Sequence, residues 1–440
     1  MRGPTGDTHA RLQGGTRLNK GFSARWLWLL AVFAIVAMAA AACGDDDSSS
    51  SKTTTGGSSG FSDAGYKAAH LDAAKNVTVD ANQPVKIGIS SALSGDVKSL
   101  GVPIADSAET AGQGVTIKGH QIQFVREDDL CSAEGGPAAA DRLIKANVIA
   151  VVGPICSGGT SASLAAYDAA SITHISPSAT AGDLTSPKRS EGPYVTFFRV
   201  PVLNADEAKA QAKFAKDTLK ATKAFVVFDS DDYGKDLAAQ FQTFFKGDGG
   251  QIVGTPTSYE KKTTDFKAII TNIKSAKPDV VYIAGFYAEA TPFIQQLRAE
   301  SDLKDVKFLG GDGVKNDEFI SGAKAAAEGA YLALPGTQGS EYANYKSKYK
   351  AKFNGDADTA TFGPEAYDAA TALIKAIDAA ATDSGGKLTI DLKKVNDNVK
   401  KSSFEGASGT IKFGNDGNRS GAVVKFFQVK DGKYTDVTPK

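Results

Sequence analysis

The chain of 440 residues is short of the side chains on which metal and nucleophilic chemistry depend, with three cysteines and four histidines. His9 lies among the basic residues of the N-terminus, and His70, His120 and His174 share no ligand spacing. Neither Cys-x-x-Cys nor His-Glu-x-x-His occurs, so no metal or other cofactor is expected. His174, inside the run ITHISPS, reads as a strand histidine with a polar or packing role. No Gly-x-Ser-x-Gly turn presents a nucleophile, and no Gly-rich loop ends in Gly-Lys-Ser/Thr; GGDGVKN, residues 310–316, is only superficially like one. Enzymatic activity has no positive support and none is expected. An excess of one charge is missing too. Lys plus Arg and Asp plus Glu each number 50, and no basic block lies beyond the first 42 residues. Nucleic acid is therefore not an expected partner.

Long apolar runs are lacking, with one exception. Trp26 to Ala42 is an uncharged run of seventeen residues, preceded by Arg2, Arg11, Arg17, Lys20 and Arg25. A spanning helix needs ~20 apolar residues, and this run closes in small alanines as a cleavage site does. An uncleaved anchor helix is the alternative. The ending AAAC, residues 40–43, resembles the lipobox of bacterial lipoproteins, with Ala40 where leucine is usual. That resemblance implies a signal over 1–42, cleavage before Cys43 and lipidation of its thiol. The remaining chain holds 45 basic and 49 acidic residues.

Residues 44–60, GDDDSSSSKTTTGGSSG, carry almost no apolar group to offset the entropy of ordering. With Cys43 they are expected to form a flexible tether within 43–82, of which these residues alone reach roughly 20–25 Å. Export places the chain in an oxidising compartment. With Cys43 acylated, Cys131 and Cys156 are left as a natural pair, two buried free thiols being the alternative. A bridge there would stabilise the fold by about 3.5 kcal/mol on the loop-entropy account.

From Val85 onward the pattern changes. Apolar β-rich runs such as VKIGISS, NVIAVVGPI, KAFVVFDS, QIVGTPTSY, DVVYIAG and VKFLGG alternate with amphipathic stretches such as GPAAADRLIKA and DLAAQFQTFFKG. Buried strands alternating with helices predict an α/β class with parallel sheets covered on both faces. So much chain exceeds one comfortable core, which predicts two lobes. The tail reads instead as antiparallel hairpins turning at Asn415-Asp416-Gly417 and Asp431-Gly432. Two strand ends are rich in small polar residues: VIAVVGPI runs into CSGGTSASLAAY, and the next strand into SPSATAGDLT. In open α/β sheets, ligands sit outside the carboxyl ends of strands. The amides of a helix opened by Ser157, Gly158, Gly159 and Thr160 could accept a carboxylate. Ordinary N-capping explains the same residues equally well.

VKIGISSALSG, DDLCSAEGGPAAADRLI, VVGPICSGGTSASLAAYDAASITHISPSATAGDLT, FDSDDYGKDLA and FLGGDGV occur in this order. Together they resemble the leucine/isoleucine/valine-binding type of ABC-importer substrate-binding proteins, and the resemblance runs from about Val85 to the end. It implies the type I periplasmic-binding fold: two Rossmann-like lobes joined by three hinge crossings near residues 203, 333 and 405. The expected lobes are 83–202 plus 334–405 and 203–333 plus 406–440. It further implies that Ser157, the backbone of Ser178 and Ala179, and the Thr180 hydroxyl hold a ligand carboxylate. Tyr233 would approach from the opposite lobe, and Asp312 would pair with an α-ammonium. Three positions depart from the family pattern, one of them Asp312, which is one methylene shorter than the glutamate of some relatives. Leu100 stands where an aromatic residue is frequent, and Phe286, followed by Tyr287, where tyrosine is frequent.

The resemblance implies a monomeric receptor on the outer face of the cell membrane, lipid-anchored through Cys43. It would capture an amino acid or similar small ligand, branched-chain ones first, for ABC permease subunits. A sensory domain of the same fold, for amides or related molecules, is a second reading. A secreted hydrolase is a third, for which no nucleophile–base pair is visible.

Overall fold

The computed structural model describes residues 71, 75–187, 193–336 and 339–439; the signal and Cys43 lie outside them. The first lobe is built on a six-stranded sheet ordered Thr116–Ile117, His120–Asp128, Val85–Ser91, Ala150–Val152, Thr173–Ser176 and Phe197–Arg199. All its pairings are parallel except that of the short edge strand Thr116–Ile117. The second lobe carries an eight-stranded sheet. It runs from Thr257–Tyr259 through Lys223–Asp229, Val280–Ala284 and Lys307–Gly310 to Tyr331–Pro335, Val424–Lys430 and Lys433–Asp436, with Gln251–Ile252 beside Lys223–Asp229. The last two strands join antiparallel. Val280–Ala284 is buried at every position, as a parallel strand covered on both faces must be, and this is why it reads as an unbroken apolar run. Among the described residues no helix is long and apolar enough to cross a membrane.

Several local expectations are met by the backbone. Asp431 and Gly432 both have positive φ, 50° and 68°, and join Val424–Lys430 to Lys433–Asp436 as a two-residue hairpin turn requires. QIVGTPTSY, by contrast, splits into Gln251–Ile252 and Thr257–Tyr259, because Gly254 between them turns at φ 68°. His174 is buried between the rings of Tyr167 and Phe197, at 4.6 and 5.2 Å, and burial pushes it down to about 3, so it packs as a neutral ring.

Three boundaries differ from expectation. Asn76–Val79, at the end of the expected tether, is a strand paired with Lys387–Asp391, since Val79 finds a buried place there. The second crossing falls between Pro335 and Tyr342, because Tyr331–Pro335 stays in the second sheet to its end. The third falls between Arg419 and Val424 rather than near 405. Thr410–Lys412 turns back on Ser403–Glu405, and Asn418 bridges to Arg199 in the first sheet. The chain therefore leaves the first lobe about fifteen residues later than expected, and the turn at 415–417 belongs to that lobe.

Candidate functional site

The carboxyl ends of two neighbouring strands form one wall of the interlobe cleft. Ala150–Val152 runs through Gly153 into the helix Ser157–Ala170. Gly153 has φ 111°, and a Cβ there would meet the Ser90 carbonyl oxygen at 2.1 Å, so only glycine fits this close turn. Thr173–Ser176 runs into Ser178, Ala179 and Thr180. Hydroxyls stitch the two ends together. Ser176 Oγ donates to the Pro154 carbonyl (2.6 Å) and accepts from the Ala179 amide (3.0 Å), while Ser178 Oγ donates to the Ile155 carbonyl (2.7 Å). Ser157 Oγ accepts from the Ala181 amide at 3.2 Å. Behind this turn lies Arg199, wholly buried. Its guanidinium donates to the carbonyls of Ala181 (2.6 Å) and Ala179 (3.2 Å), to Thr185 Oγ1 (2.9 Å) and to Asn418 Oδ1 (2.6 Å). No carboxylate receives those bonds. Burial lowers Arg199 to about 10, still far above neutrality, so a full positive charge stands under the polar strand ends.

Cys131 and Cys156 are joined, with Cα atoms 5.2 Å apart, so the residue before Ser157 is tied to the loop after His120–Asp128. That loop is held by Asp129, whose carboxylate accepts from the Cys131 amide (2.9 Å) and the Ser90 hydroxyl (3.1 Å), and which burial raises to about 6.

The opposite wall comes from the second lobe. Asp231 caps the helix Asp232–Gly247 by accepting from the Tyr233 amide at 3.2 Å. Tyr233 then donates its hydroxyl to Asp312 Oδ1 (2.5 Å) and accepts from the Gly313 amide (3.1 Å), so its ring and the Asp312 turn are one unit. Its ring lies 5.3 Å from that of Phe286. Asp312 follows the strand Lys307–Gly310 and is buried; its Oδ2 has no hydrogen-bond partner, and burial raises its pKa.

Leu100, Ser157, Ser178, Tyr233, Phe286 and Asp312, all six expected at the site, line one small cavity together with Ile155, Cys156, Gly313 and Phe362. Ala179 and Thr180 do not line it; both are buried directly behind Ser178. The Ala179 amide is taken by Ser176 and its carbonyl by Arg199, so this backbone braces the wall instead of presenting a donor. The Thr180 hydroxyl is buried without a partner. Tyr287 stands at the lobe contact, accepting from Ser99 Oγ at 2.5 Å. Phe362, Arg199 and the acid Glu207 behind Asp312 are absent from the sequence-based expectation. Phe362 carried a signal only in its place just before Gly363-Pro364, a helix start.

The lobes meet directly around the cavity. Asp231 Oδ1 also accepts from the Gly158 amide (3.2 Å), at the first turn of the first-lobe helix. Gly158 permits this, since a Cβ there would lie 2.7 Å from Asp231 Oδ2. Lys261 Nζ bridges Asp231 Oδ2 (2.9 Å) and the Cys131 carbonyl (2.5 Å), and the Gly182 amide donates to Asp236 Oδ2 (2.9 Å).

The sequence model of the family described as periplasmic binding protein matches residues 84–433. The leucine-specific-binding protein of Salmonella typhimurium is 28% identical over 350 residues, which cover 78% of this chain and 90% of that protein. The Leu/Ile/Val-binding protein of Escherichia coli K12 is 29% identical over 259 residues, 58% of this chain and 68% of that one. The crystal structure of a branched-chain amino acid transporter substrate-binding protein from Streptococcus pneumoniae, in complex with isoleucine, matches with a TM-score of 0.71 and 26% identity. It covers 81% of this chain and 100% of that one. A solute-binding protein from R. palustris in complex with benzoate matches in fold, with a TM-score of 0.69, 21% identity, and coverage of 81% and 96%.

Proposed function

The chain belongs to the periplasmic binding protein family, and from that premise we propose that it is an extracytoplasmic solute-binding receptor of an ABC importer. Its ligand is a zwitterionic amino acid with an apolar side chain, branched aliphatic ones first. The observation that carries this is the Asp312 carboxylate, buried with one oxygen unpartnered, in a cavity otherwise lined by Leu100, Ile155, Phe286 and Phe362 and faced by Ser157 and Ser178. A buried carboxylate suits an ammonium and repels a plain acid. The Ser157 hydroxyl opposite, which accepts from the Ala181 amide and so keeps its own proton to donate, suits a carboxylate over the buried Arg199, and the four apolar residues suit a hydrocarbon side chain.

Asp312 and Tyr233 belong to one lobe, Ser157 and Ser178 to the other, so ligand is gripped on both sides only when the lobes are shut. Binding thus favours the closed form, in which Asp231 and Lys261 complete their interlobe bonds. The closed form is the one that docks on the permease. Lipidation at Cys43, with a tether beyond it, would keep this monomeric receptor at the outer face of the membrane.

Thermal unfolding with a panel of L-leucine, L-isoleucine, L-valine, L-phenylalanine and benzoate tests the reading. A ligand at a hundredfold excess over its Kd adds about 2.7 kcal/mol of stability and raises Tm. The amino acids are expected to raise Tm and benzoate to leave it unchanged. A rise with benzoate alone would overturn the zwitterion assignment.

A further inference from the structure

Behind Asp312 lies a second acid that the ligand-binding reading does not use. Glu207 sits in the first turn of the helix Asn204–Asp217 and is completely buried. Its Oε1 accepts from the Asp312 amide at 3.0 Å and from Gln211 Nε2 at 2.8 Å. The Gln211 amide is oriented by Tyr282, whose hydroxyl donates to Gln211 Oε1 at 2.5 Å. The other Glu207 oxygen, Oε2, is buried and receives no donor. Asp312 Oδ2 is buried without a donor as well, so each of these two neighbouring acids keeps one unpartnered oxygen. The groups facing the pair are Tyr233 from the helix Asp232–Gly247, Tyr282 from the strand Val280–Ala284, and Gln211 from Glu207's own helix. Among the described residues no lysine or arginine donates to either acid.

Two carboxyls in contact and away from water cannot both ionise, so one proton is held between them. Its place follows from the donors. Asp312 receives the Tyr233 hydroxyl, which stabilises its anion. Glu207 keeps one buried oxygen, Oε2, that receives no donor, and a proton there supplies the donor that the unpartnered Asp312 Oδ2 lacks. We infer that Glu207 is a positioning residue held as the neutral acid, donating its proton to the Asp312 carboxylate and leaving that wall with one negative charge. A carboxylate has about four acceptor sites, so Asp312 can take this bond, Tyr233 and a ligand ammonium together. The consequence is a charge rule: the site takes one ammonium group and discriminates against ligands bearing two. This rests on the reading that Asp312 meets the ligand's ammonium. Burial and the adjacent Asp312 charge both push Glu207 well above the ordinary carboxyl range, in keeping with the same proton placement.

The test uses the full-length chain with 13C-carboxyl-labelled glutamate, and L-leucine as the probe. One glutamate carboxyl resonance, missing in Glu207→Gln, is expected to keep the shift of a protonated acid at pH 7. Glutamine at 207 can present its amide N–H to Asp312 while its carbonyl accepts as Oε1 does. Leucine affinity should therefore stay within about threefold in Glu207→Gln and fall by about tenfold or more in Glu207→Ala, as loss of a hydrogen bond to a charged group does. Calorimetry of the unaltered protein at pH 7, in two buffers of different ionisation heat, should detect no proton released on binding. An ionised resonance, a tenfold loss in Glu207→Gln, or release of one proton would each overturn the inference. If Glu207→Gln does not fold, the wild-type calorimetry decides alone. Asp312→Asn separates the two readings: retained leucine binding would sink the ammonium assignment, while the resonance still judges Glu207.

Discussion

Behind the hydroxyl wall of the cleft, Ser157 and Ser178, stands a buried guanidinium; behind the Asp312 wall stands a second carboxyl group. Arg199 reaches the cavity only through carbonyls it holds, those of Ala179 and Ala181. Glu207 reaches it only through Asp312, whose amide it holds. Each wall thus presents one kind of group over a buried ionisable one. The difference is in how the hidden charge is handled. The positive one is kept and spread over four accepting oxygens, while the additional negative one is cancelled by a proton. A site for a zwitterion needs one unit of each sign, and the second layer is what sets the count.

The comparison breaks most severely at Arg199. Arg199→Met leaves the buried carbonyls of Ala179 and Ala181 without this donor and removes one donor each from Thr185 Oγ1 and Asn418 Oδ1. A loss of about 3–5 kcal/mol is expected, read as a shift of the urea midpoint. Leucine affinity should fall as well, because the turn that carries Ser178 loses its brace. Next in size is Asp312→Ala, which removes the acceptor on the other wall. Leucine binding should weaken by about a hundredfold by calorimetry while the urea midpoint moves little. An unchanged affinity would refute the assignment of that wall to the ammonium.

A smaller effect separates the two hidden charges by pH. Glu207 is raised in the folded protein above the value it has unfolded. The folded state therefore holds a proton that the unfolded state gives up as pH passes the ordinary carboxyl range, so Glu207 makes stability fall as pH rises from there toward its own folded pKa. Glu207→Gln cannot titrate. Its stability should decline less over that interval, and it should exceed wild type at alkaline pH in urea unfolding at stepped pH. Arg199 is lowered only to about 10, so below that no matching slope arises from the other wall.

These second-layer residues also mark where the sequence stops being readable. The strand ends carrying Ser157, Ser178 and Asp312 are legible, because an apolar run followed by small polar residues places them outside a sheet edge. Tyr233 follows a capping acid and is equally visible, and the family resemblance aligns all four. Glu207 is a first-turn helix acid, which the helix dipole explains without any site. Arg199 ends a strand of three residues, and nothing local reports that Asn418 lies against it across more than two hundred residues. Phe362 enters the cavity from the start of a helix in the returning segment, with φ 60°. That conformation is set by tertiary packing, since propensity disfavours it for an aromatic residue. The late third crossing has the same origin. Its segment pairs within the first lobe through Ser403–Glu405 and the Arg199–Asn418 bridge, contacts no periodicity announces.

The mildest way to sharpen the comparison leaves both walls intact and loosens only what holds them together. Lys261 belongs to the acidic lobe, yet one of its two bonds goes to the Cys131 carbonyl on the other lobe. Its partner Asp231 also accepts from Gly158. Opening the cleft breaks the bonds to Cys131 and Gly158 while keeping Lys261 near Asp231, so Lys261 distinguishes the closed form from the open one. Its side chain is 36% exposed, and water competes for the ammonium, which limits the bond to about 1 kcal/mol. Lys261→Met should therefore weaken leucine binding by about fivefold. Most of that should appear as faster dissociation in stopped-flow traces, since the lost contact forms only after the lobes meet. The urea midpoint should hold, because neither wall has been touched. A fivefold loss carried by slower association instead would place Lys261 in ligand entry, and the lobe-locking role would go.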